Sequence, residues 1–90
     1  MENWKDQMLL GLPDLIKEVQ EENERQIKKW GIQEHDVFAW HTILAEEVGE
    51  LAQEMLNHKF GKQPPVLVVK EAIQVATLAL KIAEMAIMNC

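Results

Sequence analysis

A run of acidic residues in the middle of the chain has the spacing needed to hold a divalent cation. The acidic side chains are Glu46, Glu47, Glu50 and Glu54. Residues three or four apart share one face of a helix, so Glu47, Glu50 and Glu54 form a row. Glu47 falls at the edge of an apolar stripe, where partial burial adds a desolvation cost to the repulsion between like charges. A bound cation would remove both costs.

A further carboxylate stands on an apolar surface in the last third of the chain. The helical-wheel neighbours of Glu71 are Leu67, Val75, Leu78 and Ile82. If two helices pack antiparallel across the turn at 61–65, Glu71 meets the earlier acidic row, and Gln74 adds a side-chain carbonyl. Converging hard oxygens suit Mg²⁺ or Mn²⁺. The predicted metal ligands are therefore Glu47, Glu50, Glu71 and Gln74.

Ordinary solvated surface is the competing interpretation of these acids. It is preferred for Glu46 and Glu54 taken alone, and for four acids nearer the N-terminus: Glu18, Glu21, Glu22 and Glu24. The Glu-x-x-His pairs of carboxylate-bridged di-iron bundles do not occur in the sequence, nor does a Gly-rich phosphate loop. The lone histidines are expected to be surface or capping groups. The single cysteine, Cys90, can form no internal disulfide.

Three helices must position these side chains. Glycine and proline breaks predict helices over about 14–30, 36–57 and from 66 almost to the end. Gly31 is the predicted C-terminal stop of the first helix, and Asp36 is the predicted N-cap of the second. The apolar run at 66–69 could form a strand, but it has no partner strand, so a helix is preferred. Residues 1–12 are expected to form an arm or a short helix.

The third predicted helix is apolar nearly all round. One face carries Val66, Val69, Ile73, Ala76, Leu80, Ala83 and Ile87, and a second carries Leu67, Val75, Leu78, Ile82 and Met85. Such a helix needs cover on both sides, and a chain of 90 residues has few other helices to supply it. The expected fold is an all-α bundle of three to four helices, completed by oligomerisation as a homodimer or a dimer of dimers.

Length and charge restrict the classes of function. Ninety residues form one domain, and 48% hydrophobic composition argues against a disordered chain. A formal net charge of −6 makes nucleic acid an unexpected partner. Neither a signal peptide nor a membrane span is visible in the sequence, so a cytoplasmic location is expected.

Several of these segments together resemble a known family. They are Glu24-Arg25-Gln26, Lys29-Trp30-Gly31, Trp40 and the stretch 43–52. They are similar to the MazG-like nucleotide pyrophosphohydrolases of the all-α NTP pyrophosphatase superfamily, especially small phage-type members, over about 15–83. The family motif is Glu-x-x-Glu, a spacer and Glu-x-x-Asp. Glu47, Glu50 and Glu71 match this motif, whereas its final Asp falls on Gln74.

The resemblance implies Mg²⁺-dependent hydrolysis of a nucleoside triphosphate between the α and β phosphates, giving a monophosphate and pyrophosphate. Glu47 and Glu50 would be catalytic through the metal, with Glu46 or Glu54 as a base. Lys29 and Lys70 are assigned to offset phosphate charge, with Lys59, Lys62 and Lys81 open as alternatives.

Two alternatives remain open from the sequence. Trp30 and Trp40 would stack on the nucleobase or instead anchor a core or an interface. The uncharged Gln74 implies weaker metal binding, and it favours a second hypothesis, a non-catalytic helical module that binds nucleotide or protein.

Overall fold

The computed structural model describes residues 11–88, which form three α-helices. Helix α1 spans Leu12–Trp30, α2 spans Val37–Gly61 and α3 spans Val66–Met88. The predicted all-α class is confirmed, and the run at 66–69 opens α3 instead of forming a strand. An arm or short helix was predicted for residues 1–12. Residues 1–10 lie outside the described part of the chain, and Leu12 is the first residue of α1. Cys90 also lies outside them.

Local capping chemistry sets the boundary between α1 and α2. Gly31 ends α1 with φ at 76°, a backbone conformation that favours glycine, and its N–H donates to the Ile27 carbonyl at 2.7 Å. Asp36 caps α2, because its side chain accepts a hydrogen bond from the Ala39 N–H at 2.7 Å. Both predicted caps are confirmed.

Helix α2 extends beyond its predicted end. The sequence predicts that it ends near Asn57, whereas it continues through Gly61, and Lys62 is the left-handed residue, with φ at 58°. A left-handed backbone costs a non-glycine residue about 1 kcal/mol. Three hydrogen bonds offset this cost. The N–H groups of Lys62 and Gln63 both donate to the Asn57 carbonyl, and His58 Nδ1 donates to the Gln63 carbonyl at 2.6 Å. His58 therefore acts as a capping group, as expected for a lone histidine.

Helix α3 is the centre of the bundle, because it packs against both α1 and α2 while those two helices do not pack directly on each other. Helices α2 and α3 are antiparallel. Moving forward along α2 from Glu47 to Glu50 corresponds to moving back along α3 from Gln74 to Glu71. Helices α1 and α3 run in the same direction. Residues 18–25 line a groove with 66–73, and Gln26 reaches Lys81 further along.

Only a small part of the apolar surface is buried within one chain. Trp40 and Leu78 are the buried hydrophobic side chains of the described residues, at 5% and 6% exposure. On α3, the face that contains Leu78 packs inward, whereas Leu80 and Ile87 on the other face are exposed. The described part of the chain therefore leaves one side of α3 without cover.

Helix α1 also packs differently from its apolar pattern. Leu15, Ile27 and Trp30 of the predicted stripe are exposed, while Val19 and Asn23 are half-buried. The chain packs α1 on α3 through a flank with polar side chains, so hydrophobic spacing alone does not identify the contact.

None of the helices within residues 11–88 has the length and apolar character needed to span a membrane.

Candidate functional site

Three carboxylates from two helices meet in one cluster. Glu47 and Glu50 lie on successive turns of α2, and Glu71 lies near the start of α3. One carboxylate oxygen from each lies within 4.8 Å of the other two. Glu47 and Glu71 are half-buried and Glu50 is exposed. The predicted meeting of these residues across the antiparallel turn is thus present, and their role as metal ligands stays a prediction.

The cluster is electrostatically crowded. Burial raises the pKa of Glu47, and the charges of Glu50 and Glu71 and a hydrogen bond with Glu50 raise it further. Burial and the Glu50 charge also raise the pKa of Glu71, while the neighbouring Lys70 ammonium acts in the opposite direction. The site therefore favours either a proton or a cation among its carboxylates.

Gln74 joins the cluster as a hydrogen-bond donor. One end of its side-chain amide lies 2.9 Å from Glu71 Oε2 and 3.3 Å from Glu47 Oε2, and without a cation the amide satisfies these two acceptors only when its nitrogen is assigned to that end. Turning the amide about its last side-chain bond would present the carbonyl oxygen to the same two carboxylates. Four oxygens would then converge, which only a cation or added protons make favourable. Ligation by the Gln74 carbonyl stays a prediction, because the hydrogen bonds of the metal-free site are satisfied with the amide nitrogen, and not the oxygen, toward the carboxylates.

The two candidate bases differ in their surroundings. Glu46 is exposed, and its charge contributes to the raised pKa of Glu47. Glu54 is half-buried, so the expectation that it is ordinary solvated surface is wrong. Its Oε2 atom is buried and has no hydrogen-bond partner among residues 11–88. Glu54 lies one helical turn beyond Glu50 on α2, and its charge also raises the pKa of Glu71.

The predicted substrate-binding residues lie in three places. Lys70 is exposed and lines a groove of about 260 Å³ between α1 and α3. Lys29 and Trp30 lie at the end of α1, where Lys29 Nζ is 4.6 Å from the centroid of the exposed Trp30 ring. Trp40 lies two turns before Glu47, about 10 Å along α2. Of the two alternatives for Trp40, its burial favours the core anchor, and stacking on a base stays a prediction for both tryptophans.

A larger groove beside Trp40 was not anticipated from the sequence. It has a volume of about 600 Å³ and lies between the end of α1, the loop at 31–36 and the end of α3. His35 packs edge-on against Trp40, with ring centroids 4.8 Å apart. Trp40 Nε1 and His35 Nε2 are buried without hydrogen-bond partners in the described part of the chain. The sequence positions of Trp40 and His35 do not distinguish them from ordinary core and surface residues, so the groove could not be predicted from the sequence.

Glu22 corrects the prediction that the acids of α1 are solvated. It is only 4% exposed and forms an ion pair with Arg25. Gln26 Nε2 donates to Glu22 Oε2 at 2.9 Å, and Lys81 Nζ donates to Gln26 Oε1 at 2.6 Å. Burial lowers the pKa of Lys81, with the Glu84 charge opposing. The packing of α1 on α3 through this flank is the physical reason for the burial of Glu22.

The raised pKa values predict how stability depends on pH in the absence of metal. The folded chain binds protons at Glu47 and Glu71 more tightly than the unfolded chain does. Their contribution to the free energy of unfolding is therefore full below about pH 4.5 and falls as pH rises through the raised pKa values. Urea denaturation in EDTA across this range measures the effect. Glu71→Gln should flatten this fall, and identical pH profiles for the two proteins would contradict the assignment.

Of the predicted site residues, the structure brings Glu47, Glu50, Glu71 and Gln74 together and leaves Lys29 and Trp30 at the far end of α1. Comparisons of the chain with protein-family models, with curated proteins and with solved structures each found no match. Function is therefore inferred from the residues and geometry of the chain together with the resemblance of its motif.

Proposed function

We propose that the chain is a Mg²⁺-dependent nucleoside triphosphate pyrophosphohydrolase that cleaves between the α and β phosphates. The products are a nucleoside monophosphate and pyrophosphate. The observation that carries the proposal is the cluster of Glu47, Glu50 and Glu71, with carboxylate oxygens within 4.8 Å of one another. The resemblance of these residues to the MazG-like motif suggests the reaction.

The donor set of the cluster fits a hard divalent cation. It consists of three carboxylates and one amide that can present oxygen, without sulfur or imidazole. Oxygen ligands of this kind suit Mg²⁺ and Mn²⁺. When bound, the cation would supply charge neutralisation for the phosphates and a lowered pKa for water. Glu47, Glu50 and Glu71 would hold it, and Gln74 would complete the set with its carbonyl.

Glu54 is our preferred proton acceptor for the attacking water. Its Oε2 is buried beside the cluster and has no hydrogen-bond partner among the described residues, so it is free to accept a proton. Glu46 is the second candidate, because it is next to Glu47 but is exposed.

The remaining side chains would contact the rest of the substrate. Lys70 is next to Glu71 in sequence, and its ammonium charge opposes the rise in the pKa of Glu71, which supports Lys70 as a residue that offsets phosphate charge. Lys29 and the exposed ring of Trp30 form a second candidate contact. Trp40 lies about 10 Å before Glu47 along α2 and is buried, which supports a core anchor beside the site more than a ring that stacks on the base. The predicted homodimer or dimer of dimers and the predicted cytoplasmic location belong to the same proposal.

A helical module that binds nucleotide or protein without turnover is the second candidate function. The observation that favours it is the position of the Gln74 amide, which can donate from its nitrogen to Glu71 and Glu47. These hydrogen bonds partly satisfy two carboxylates without any cation. An uncharged residue at this position would also weaken metal binding.

A nucleotide panel tests the proposal. Ribo- and deoxyribonucleoside triphosphates are incubated with the protein and Mg²⁺ or Mn²⁺, and pyrophosphate and orthophosphate are measured separately. We expect pyrophosphate release from at least one nucleotide, and its loss in EDTA. Stabilisation of the fold by Mg²⁺ plus nucleotide without release would instead support the binding module. If the protein neither releases pyrophosphate nor is stabilised by Mg²⁺ plus nucleotide, the acids are ordinary surface.

A further inference from the structure

A row of polar side chains runs along α3 beside the carboxylate cluster. Lys70, Gln74 and Lys81 recur at helical spacing, so they share one side of the helix. The Gln74 amide lies within 3.3 Å of a carboxylate oxygen of both Glu71 and Glu47. Along the helix axis, Lys70 lies about 6 Å before Gln74 and Lys81 lies about 10 Å after it. One cation therefore stands on each side of the candidate metal site.

Lys81 carries a charge that its direct contacts do not neutralise. It is half-buried, and its Nζ donates to Gln26 Oε1 at 2.6 Å, which is an uncharged acceptor. No carboxylate among residues 11–88 forms an ion pair with Lys81. Burial lowers the pKa of Lys81, and the charge of the exposed Glu84 opposes this change. A half-buried ammonium group whose direct partner is neutral would be stabilised by a bound anion.

Two residues of α1 hold this ammonium group in place. Glu22 is 4% exposed, and its Oε2 accepts a hydrogen bond from Gln26 Nε2 at 2.9 Å. Because the amide nitrogen of Gln26 is directed to Glu22, the amide oxygen is the end that meets Lys81. Gln26 thus separates the Glu22 carboxylate from the ammonium group. The contact orients Lys81 without forming an ion pair with it.

The two lysines of the row line grooves of different size. Lys81 lines the groove of about 600 Å³ beside Trp40, to which all three helices contribute. Lys70 lines the groove of about 260 Å³ between α1 and α3. Pockets that hold small organic ligands have volumes of about 300–1,000 Å³. The larger groove can therefore accept the nucleoside part of a nucleotide, whereas the smaller one suits an inorganic group.

We propose that Lys81, positioned by Gln26, binds the phosphate that remains on the nucleoside, and that Lys70 lies toward the departing pyrophosphate. This assignment rests on the proposed function and sets the direction in which the substrate crosses the carboxylate cluster. The nucleoside monophosphate product carries the first phosphate, and the pyrophosphate product carries the other two. Binding of each product therefore reports on one lysine without any turnover.

Isothermal titration calorimetry in Mg²⁺ measures the two products separately. The probes are the common ribo- and deoxyribonucleoside monophosphates and inorganic pyrophosphate. Lys81→Met keeps a long unbranched side chain without the charge, and it should weaken monophosphate binding at least about tenfold, because a hydrogen bond to a charged group contributes that much. Its affinity for pyrophosphate should change less than about threefold, since solvent screens a distant charge. Lys70→Met should show the opposite preference.

Three further variants separate a binding role from a structural one. Lys81→Arg keeps the charge and should bind the monophosphates as the wild type does. Lys17→Met, at an exposed position of α1, should change neither affinity. Gln26→Glu places a carboxylate against Lys81 and should weaken monophosphate binding alone, whereas a merely structural role of Gln26 would weaken both products or neither. If Lys81→Met does not fold, Gln26→Glu still decides.

Three outcomes would overturn the assignment of Lys81. They are unchanged monophosphate affinity in Lys81→Met, equal loss of both products in that variant, and a wild-type protein that binds none of the monophosphates. Failure of the proposed function gives a different result. Product binding that follows the expected pattern, without pyrophosphate release from any triphosphate, would remove the hydrolase and keep Lys81 as a residue that binds nucleotide phosphate.

Discussion

Replacing Glu50 with glutamine should reduce Mg²⁺-dependent pyrophosphate release at least about a hundredfold. Removing even a residue that supports a metal ligand costs about 10–100-fold, and Glu50 is itself a proposed ligand. The same variant should be as stable as the wild type or more stable without metal, since the Glu50 charge raises the pKa of both Glu47 and Glu71. Loss of a charge that repels its neighbours favours the folded state.

The experiment pairs steady-state pyrophosphate assays with thermal unfolding in EDTA. Glu24→Gln is the matched control, because Glu24 is exposed on α1 and the change removes one carboxylate charge in the same way. Wild-type turnover in Glu50→Gln would exclude Glu50 as a ligand. A lower midpoint in EDTA would instead mean that Glu50 has a structural partner in the fold.

Replacing Gln74 with aspartate should tighten binding of Mg²⁺ or Mn²⁺ at least about tenfold. A carboxylate next to a divalent cation contributes more than about 1.4 kcal/mol of attraction even when strongly screened, and that energy is a factor of ten. Without metal, the variant should be less stable. It adds another negative charge and removes the amide that donates to Glu71 and Glu47.

Isothermal titration calorimetry with Mn²⁺ and thermal unfolding in EDTA measure these opposite effects. Gln20→Asp, at an exposed position of α1, adds the same charge away from the cluster and should change the affinity little. An affinity equal to that of the wild type would show that position 74 does not contribute a ligand.

Features set by neighbouring residues in sequence were predictable. Gly31 and Asp36 act as their types predict, whereas α2 runs past its predicted end near Asn57 through Gly61. The packing of α1 was not predictable in the same way. Glu22 is buried because α1 meets α3 through a polar flank, whereas a run of acids on a helix is typical of solvated surface.

The sequence was sufficient to predict which helix faces bring the carboxylates of the cluster together. Spacing of three residues places Glu47 and Glu50 together, and a short turn between antiparallel helices brings Glu71 to them. The direction of the Gln74 amide and the unpartnered oxygen of Glu54 depend on side-chain torsions and local packing. No pattern in the sequence encodes those details directly.

The uncovered side of α3 shows how far pattern and structure agree. The sequence predicts a helix that is apolar nearly all round, and the structure covers the side that carries Leu78 and leaves the side that carries Leu80 exposed. Periodicity indicates that cover is needed, but it does not identify the molecule that supplies it.

Anomalous diffraction from crystals grown with Mn²⁺ tests the account most directly, because it locates bound manganese without relying on turnover. We predict an anomalous peak in contact with carboxylate oxygens of Glu47, Glu50 and Glu71, with the side-chain oxygen of Gln74 turned toward it. Crystals that show these three carboxylates ordered but without manganese between them, at a Mn²⁺ concentration well above that used in the assays, would contradict it.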